Sequence, residues 1–334
     1  MITLYVDPMR GDDKNSGSKT SPFLTIQKAI DRAQPGTMIM LEKGNYLQNV
    51  ITKRNGTPSN PIIIKGTASA VLKGGGGAHI FEINHSYITL DGFTIDGLFG
   101  NPDKAIGYRD KLIYAIGKEA KCGVTDLRIL NMILKNSGEE AVRLRYFAHD
   151  NEIAWNTITN CGVYDFKFGG GADNGEGIYI GTAPNQLNDG RNSTNDLDQS
   201  DNNWIHHNTI DTQGAECVDI KEGSSGNIVE YNTCSGQQNP NTAGLQSRGT
   251  FNVFRNNTIF GNAGAGIRLG SDMATEGINN DVYENDIHDN NSGGIKFMSQ
   301  PQGKVCSNRI TDNTGGDSVG AYWRNFSPTS QCEK

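Results

Sequence analysis

The stretch Asn208-Thr209-Ile210-Asp211-Thr212-Gln213-Gly214-Ala215-Glu216-Cys217-Val218-Asp219-Ile220-Lys221-Glu222-Gly223 decides the fold, together with its continuation through Ile228-Val229-Glu230 to Asn232-Thr233-Cys234. It holds three short alternations of apolar and polar residues, separated by polar, glycine-bearing turns. Alternation of period two reads as strand, and runs this short bounded by Gly, Asn and Ser read as many strands joined by tight bends. The asparagine then returns and the grammar repeats. Asn131, Asn156, Asn208, Asn232, Asn257, Asn285 and Asn308 align at spacings of 25, 52, 24, 25, 28 and 23 residues, the 52 holding one coil plus an insertion.

The third alternation of each unit reads Val142-Arg143-Leu144, Ile178-Tyr179-Ile180, Val218-Asp219-Ile220, Leu245-Gln246-Ser247, Ile267-Arg268-Leu269 and Ile295-Lys296-Phe297. Its first and third residues point one way and its middle residue the other. A unit of three short strands can bury its apolar face only by stacking on its neighbours. The expectation is an all-β chain, a right-handed parallel β-helix forming one domain over residues 1–334. The repeated asparagine is expected inside, at a bend, bonding neighbouring backbone. Regular coils are expected over about 86–325, with irregular coils from Thr37 to about Ile95. The N-terminal cap is expected over about 1–36, with a short helix built on Phe23, Leu24, Ile26, Ala29 and Ile30, Ser21 as N-cap and Pro22 in its first turn. Two insertions, at about 97–121 and 182–203, break the rhythm and are long enough to wall a groove.

Composition fits. The 334 residues include 42 glycines, and only 35% are hydrophobic. A formal charge of -7 argues against bulk attraction to nucleic acid or an anionic membrane, so neither is expected as a partner. No segment is long and apolar enough to span a bilayer. No leader is visible ahead of Ile2. Six cysteines, none in a Cys-x-x-Cys pair, do not suggest zinc or redox chemistry. Their even number fits an oxidising compartment, and a secreted, extracellular monomer is expected. Cys306 with Cys332 fits a staple for the C-terminal tail, and free buried thiols fit equally.

Stacked coils align outward side chains. One column reads Arg143, Tyr179, Asp219, Gln246, Arg268, Lys296; the next carries Arg145, Lys221 and Arg248; Glu140, Glu176 and Glu216 stand just before. Neighbouring strands lie about 4.8 Å apart, so carboxylates and cations converge on one patch. That mixture suits β-elimination of a uronate. A base removes the proton beside the carboxylate, the developing charge is stabilised, and the departing oxygen receives a proton.

Tyr5-Val6-Asp7-Pro8, Gly11-Asp12-Asp13, Ser21-Pro22-Phe23, Ile26-Gln27-Lys28-Ala29-Ile30 and Pro35-Gly36 resemble the opening of the pectate-lyase-like β-helix proteins that act on polysaccharides. Glu216 through Lys221, with Arg248 one coil on, is similar to the site of chondroitinase B and alginate lyase type enzymes, although the acidic residues stand nearer the lysine here. That resemblance implies a polysaccharide lyase acting on an acidic polysaccharide. Lys221 would be the base and Arg248 the acid; Glu176, Glu216 and Asp219 would hold Ca²⁺. Arg143, Arg145, Tyr179 and Arg268 would bind substrate. Without a dication, Asp219 and Glu216 would raise the Lys221 pKa and spoil it as a base, so this reading requires calcium or an equivalent. Two alternatives stay open: a β-helix glycoside hydrolase using the carboxylate trio, and a non-catalytic carbohydrate-binding solenoid. A C5-epimerase would share the first proton abstraction.

Overall fold

The computed structural model describes residues 2–171 and 173–333. Three parallel sheets, of 11, 10 and 10 strands, run its length. Each coil gives each sheet one short strand: the coil quoted above supplies Thr209–Asp211, Val218–Ile220 and Ile228–Glu230. Each strand pairs in parallel with its counterpart in the next coil, Thr233–Ser235, Ala243–Ser247 and Val253–Arg255. The chain is a parallel β-helix.

The core is a set of apolar columns down the axis. Ile153, Ile205, Val229, Phe254 and Val282 are register partners in one sheet, and Ile158, Ile210, Cys234, Ile259 and Ile287 in another. All are fully buried. Each such aliphatic side chain contributes roughly 1.5–3 kcal/mol of burial, and only stacked neighbours make that burial available.

The expected asparagine ladder is present. Asn208 donates to Ile153 O and Asn232 Oδ1 and accepts from Asn156 N and Nδ2, all at 2.8–3.0 Å. A second ladder, Asn151, Asn203, Asn227, Asn252 and Asn280, fills another corner and was not expected. Asn131 is one residue out of step. Met132 N donates to Asn156 Oδ1, so Met132 holds the ladder position, while Asn131 takes the left-handed corner (φ 54°) that Trp155 takes one coil later.

The N-terminal cap differs from expectation in detail. The helix is Ile26–Arg32 with Thr25 as N-cap, its hydroxyl accepting from Lys28 N. Phe23 instead bridges to Val6 as extended chain, and Asp13 accepts from the Leu24 and Thr25 amides. The sheets also reach to the start of the described chain, through Ile2–Val6 and Thr37–Leu41. Within the first expected insertion, Lys111–Ile116 is a strand, paired with His79–Ile83 and Val142–Arg145. The uninterrupted burial of that strand hid it from an alternation search. Cys306 and Cys332 form the expected staple; Cys217 and Cys234 form a second bridge across the core, and Cys122 and Cys161 are free.

Candidate active site

One sheet carries the site. Its strands Val142–Arg145, Ile178–Ile180, Val218–Ile220, Ala243–Ser247, Ala265–Leu269 and Ile295–Phe297 are adjacent. Registry makes Arg143, Tyr179, Asp219, Gln246, Arg268 and Lys296 one outward column, as the sequence implied. Val218 and Ile220 face the core on either side of Asp219, and the Cys217–Cys234 bridge ties this coil to the opposite wall.

A cleft of about 510 Å³ opens over this sheet. Glu176, Tyr179, Glu216, Asp219, Lys221 and Arg248 line it, between the segments around Pro184, Asn239 and Asp272. Oxygens of Glu176, Glu216 and Asp219 lie within 4.8 Å of one another, and all three residues are buried. Lys221 Nζ rests against Asp219 Oδ2 and 4.5 Å from the centre of the Tyr179 ring. Asp219 Oδ1 accepts from Gln246 Nε2 at 3.1 Å, whereas Oδ2 has no aligned donor.

The charges are strongly coupled. Burial pushes the Glu176 and Glu216 carboxyls well above their usual range. The neighbouring carboxylates, Glu140 for Glu176 and Asp219 for Glu216, add to this, against the opposing pull of Lys221. Burial alone would lower Lys221, but Asp219, then Tyr179, Glu176 and Glu216, hold its ammonium well above the ordinary lysine value. Burial raises the Tyr179 phenol to about 12, against Lys221 and Arg143. The tension expected from sequence is therefore built into the site: the cluster keeps its own lysine protonated.

Two expected substrate ligands are committed elsewhere. Arg143 lies 3% exposed, bonded to Glu140 and Gln186 and stacked 3.7 Å over Tyr179. Arg145 is 1% exposed, bonded to Asn192 and Asp189. Both lie bonded under the 182–203 insertion, which covers the face expected to meet substrate. Arg248, expected as the acid, is bound by Glu222 and Asp272, which raise its pKa further despite burial. A guanidinium so paired is a poor proton donor.

Sequence reading missed several supports. Glu222 is fully buried behind Arg248. Lys111 is buried among Asp110, Glu139 and Glu140, a closed knot beside the cleft. Asp198 anchors the insertion: its carboxylate accepts from Tyr146 N, Phe147 N, Thr182 Oγ1 and Ser200 Oγ at 2.6–2.9 Å. Tyr146 and Phe147 are consecutive left-handed residues (φ 60° and 57°), a costly pairing for bulky side chains that this carboxylate compensates. A lone Asp in a polar loop gives no local signal of such a role.

A family model described as "NosD: Periplasmic copper-binding protein (NosD)" matches residues 156–327. "Uncharacterized protein YwoF" of Bacillus subtilis (strain 168) is 29% identical over 135 residues, which are 38% of this chain; the chain spans only 28% of that relative's length. Among solved structures, an alginate lyase from Paenibacillus sp. str. FPU-7 superposes with a TM-score of 0.72 at 22% identity, covering 89% of this chain and 95% of that one. The pectate lyase Pel9A gives a TM-score of 0.64 at 14% identity over 95% of this chain and 78% of that one. A GH136 lacto-N-biosidase from Eubacterium ramulus gives 0.63 at 13% identity, over 96% and 67%. At these identities the structural likeness establishes the fold, one shared by polysaccharide lyases and glycoside hydrolases.

Proposed function

The chain belongs to the NosD family, and from its β-helix and the cleft upon it we propose a polysaccharide lyase that cleaves a uronic-acid-containing acidic polysaccharide by β-elimination. The observation that carries this reading is Lys221, held between the Asp219 carboxylate and the Tyr179 ring in a cleft that also buries Glu176 and Glu216. Lys221 is the base at the carbon beside the uronate carboxyl. Tyr179, neighbour to Lys221 and steadied by Arg143, supplies the proton to the departing oxygen, a role better suited to a phenol than to the doubly paired Arg248.

The proposed calcium site is Glu176, Glu216 and Asp219. Three buried carboxylates face one ammonium, and the donors are all oxygen, which suits a hard dication. A bound calcium would supply the positive charge that grips the substrate carboxylate and stabilises the developing enolate. With Asp219 engaged by such an ion, Lys221 would lose the partner that keeps it protonated, and its burial would favour the free amine. Copper, named in the family description, is not proposed here, because copper favours imidazole and sulfur over an all-carboxylate set.

Hydrolysis is the second reading, favoured by the raised Glu176 and Glu216 carboxyls. We further propose a monomer, and a secreted one, the secretion supported by two disulfides; no helix among the described residues is long and apolar enough to cross a membrane. The test is ultraviolet absorbance of the unsaturated uronate product on a panel of acidic polysaccharides, with calcium or chelator. New reducing ends without that absorbance would replace the lyase by the hydrolase.

A further inference from the structure

The outward face of the site sheet changes character along its length. Arg143, Arg145, Lys221 and Arg248 each face a carboxylate. The next two cations do not. Arg268 is 9% exposed, and its guanidinium donates only to neutral acceptors, Gln246 Oε1 at 3.1 Å and Gly270 O at 2.8 Å. Lys296, its register partner one strand on, donates to Asn241 O at 2.8 Å. Among the described residues, neither has a carboxylate oxygen within 4.0 Å.

A solvated lysine without a partner is ordinary. A guanidinium nearly buried among neutral acceptors, set beside a second cation in a chain of charge -7, is not. Burial, then Arg248, depresses Arg268 against the longer-range pull of Asp219, Glu216 and Asp272; burial, then Arg268, depresses Lys296. With no carboxylate in contact, the buried guanidinium carries a desolvation cost that a bound anion would relieve.

Position identifies the anion. Arg268 and Lys296 lie two and three strands beyond Asp219, about 10 and 14 Å along the solenoid. In the opposite direction the insertion closes over Arg143 and Arg145. A polymer leaving the cleft over Gln246 would meet these two cations next.

We propose that Arg268 and Lys296 form a carboxylate-binding subsite, which takes a further uronate of the same chain as it passes from the cleft toward the C-terminal end of the solenoid. The proposal rests on the acidic-polysaccharide reading above. It makes charge beyond the reacting sugar a condition of tight binding, and it places the greater part of the bound polymer on one side of Lys221.

Affinity electrophoresis tests it without requiring turnover. Wild type, Arg268→Met, Lys296→Met and the exposed control Lys14→Met, which removes the same charge far from the sheet, are run cold in native gels. The gels contain alginate, polygalacturonate or neutral hydroxyethyl cellulose. Wild type and the control are expected to be retarded by at least one acidic polymer and not by the neutral one. Each subsite variant is expected to bind that polymer about tenfold more weakly or worse, the worth of one charge-assisted contact. Variants retarded like wild type, equal retardation by the neutral polymer, or no retardation of wild type by either acidic polymer overturns the subsite. If Arg268→Met fails to fold, the half-exposed Lys296→Met decides alone. Retardation lost in the variants, with no unsaturated product from wild type, rejects the lyase chemistry while the subsite stands. Product formed with unchanged retardation rejects the subsite alone.

Discussion

Replacing Glu176 by glutamine is expected to make the protein more stable at pH 8 while abolishing its activity. Glu176 is buried against Glu140, Glu216 and Asp219, and its carboxyl is pushed up to about 8 from an ordinary 4.5. A group whose pKa is raised on folding gives its full stability below the unfolded value and loses it as pH climbs toward the folded value. The window is therefore about pH 4.5 to 8. At roughly 1.4 kcal/mol per pKa unit, the ionisable side chain costs on the order of 3–4 kcal/mol at the top of that window. Glutamine does not titrate, and its carbonyl can keep the bond that Glu176 accepts from Gly175 N at 2.9 Å. The assay is urea unfolding at pH 5 and pH 8 in chelator. At pH 5 the two proteins are expected within about 1 kcal/mol; at pH 8 the variant is expected to lead by about 2–4 kcal/mol. Millimolar calcium is expected to narrow that lead by stabilising wild type alone. A variant less stable at pH 8, or a difference indifferent to pH, would refute the coupled-carboxylate account.

Other outcomes follow from the supports. Asp198→Asn loses about two of four bonds to the left-handed Tyr146–Phe147 pair and the wall; stability falls by about 2–4 kcal/mol in urea unfolding, and KM rises with it. Asn232→Ala breaks the ladder on both sides and leaves buried backbone groups unpaired, costing about 2–4 kcal/mol on the same measurement. Removing the Cys217–Cys234 bridge by paired alanines opens a loop of 17 residues and costs about 3 kcal/mol, with kcat lowered because Glu216 and Asp219 flank the bridge on its own coil.

The repeat was legible because stacking imposes it. Period-two triplets and an internal asparagine recur wherever a coil must close, and they fixed the registry that lines up Tyr179, Asp219 and Gln246. One coil's alignment slipped by a residue at Asn131 because Met132 takes the ladder position there without an amide. Lys111–Ile116 was taken for insertion because a strand buried on both faces does not alternate. The approach of Glu176, Glu216, Asp219 and Lys221 was readable from strand spacing. What each cation faces was not. Arg143 and Arg145 are claimed by Gln186, Asp189 and Asn192, residues of an insertion whose path over the sheet depends on Asp198. Such long-range polar contacts follow no period, so the sequence offered Arg143, Arg145 and Arg268 as equals. Only the fold separates the two that are paired from the one that is not.

On the proposed chemistry, Lys221 removes a proton beside a uronate carboxyl in a cleft whose carboxylates take a dication. The most direct measurement is the ultraviolet absorbance of the unsaturated product from wild type and Lys221→Ala, on alginate and polygalacturonate, with calcium and with chelator. The expected result is absorbance that needs the dication and disappears in the variant while its fold persists. Undiminished product from Lys221→Ala, or from wild type in chelator, would contradict it.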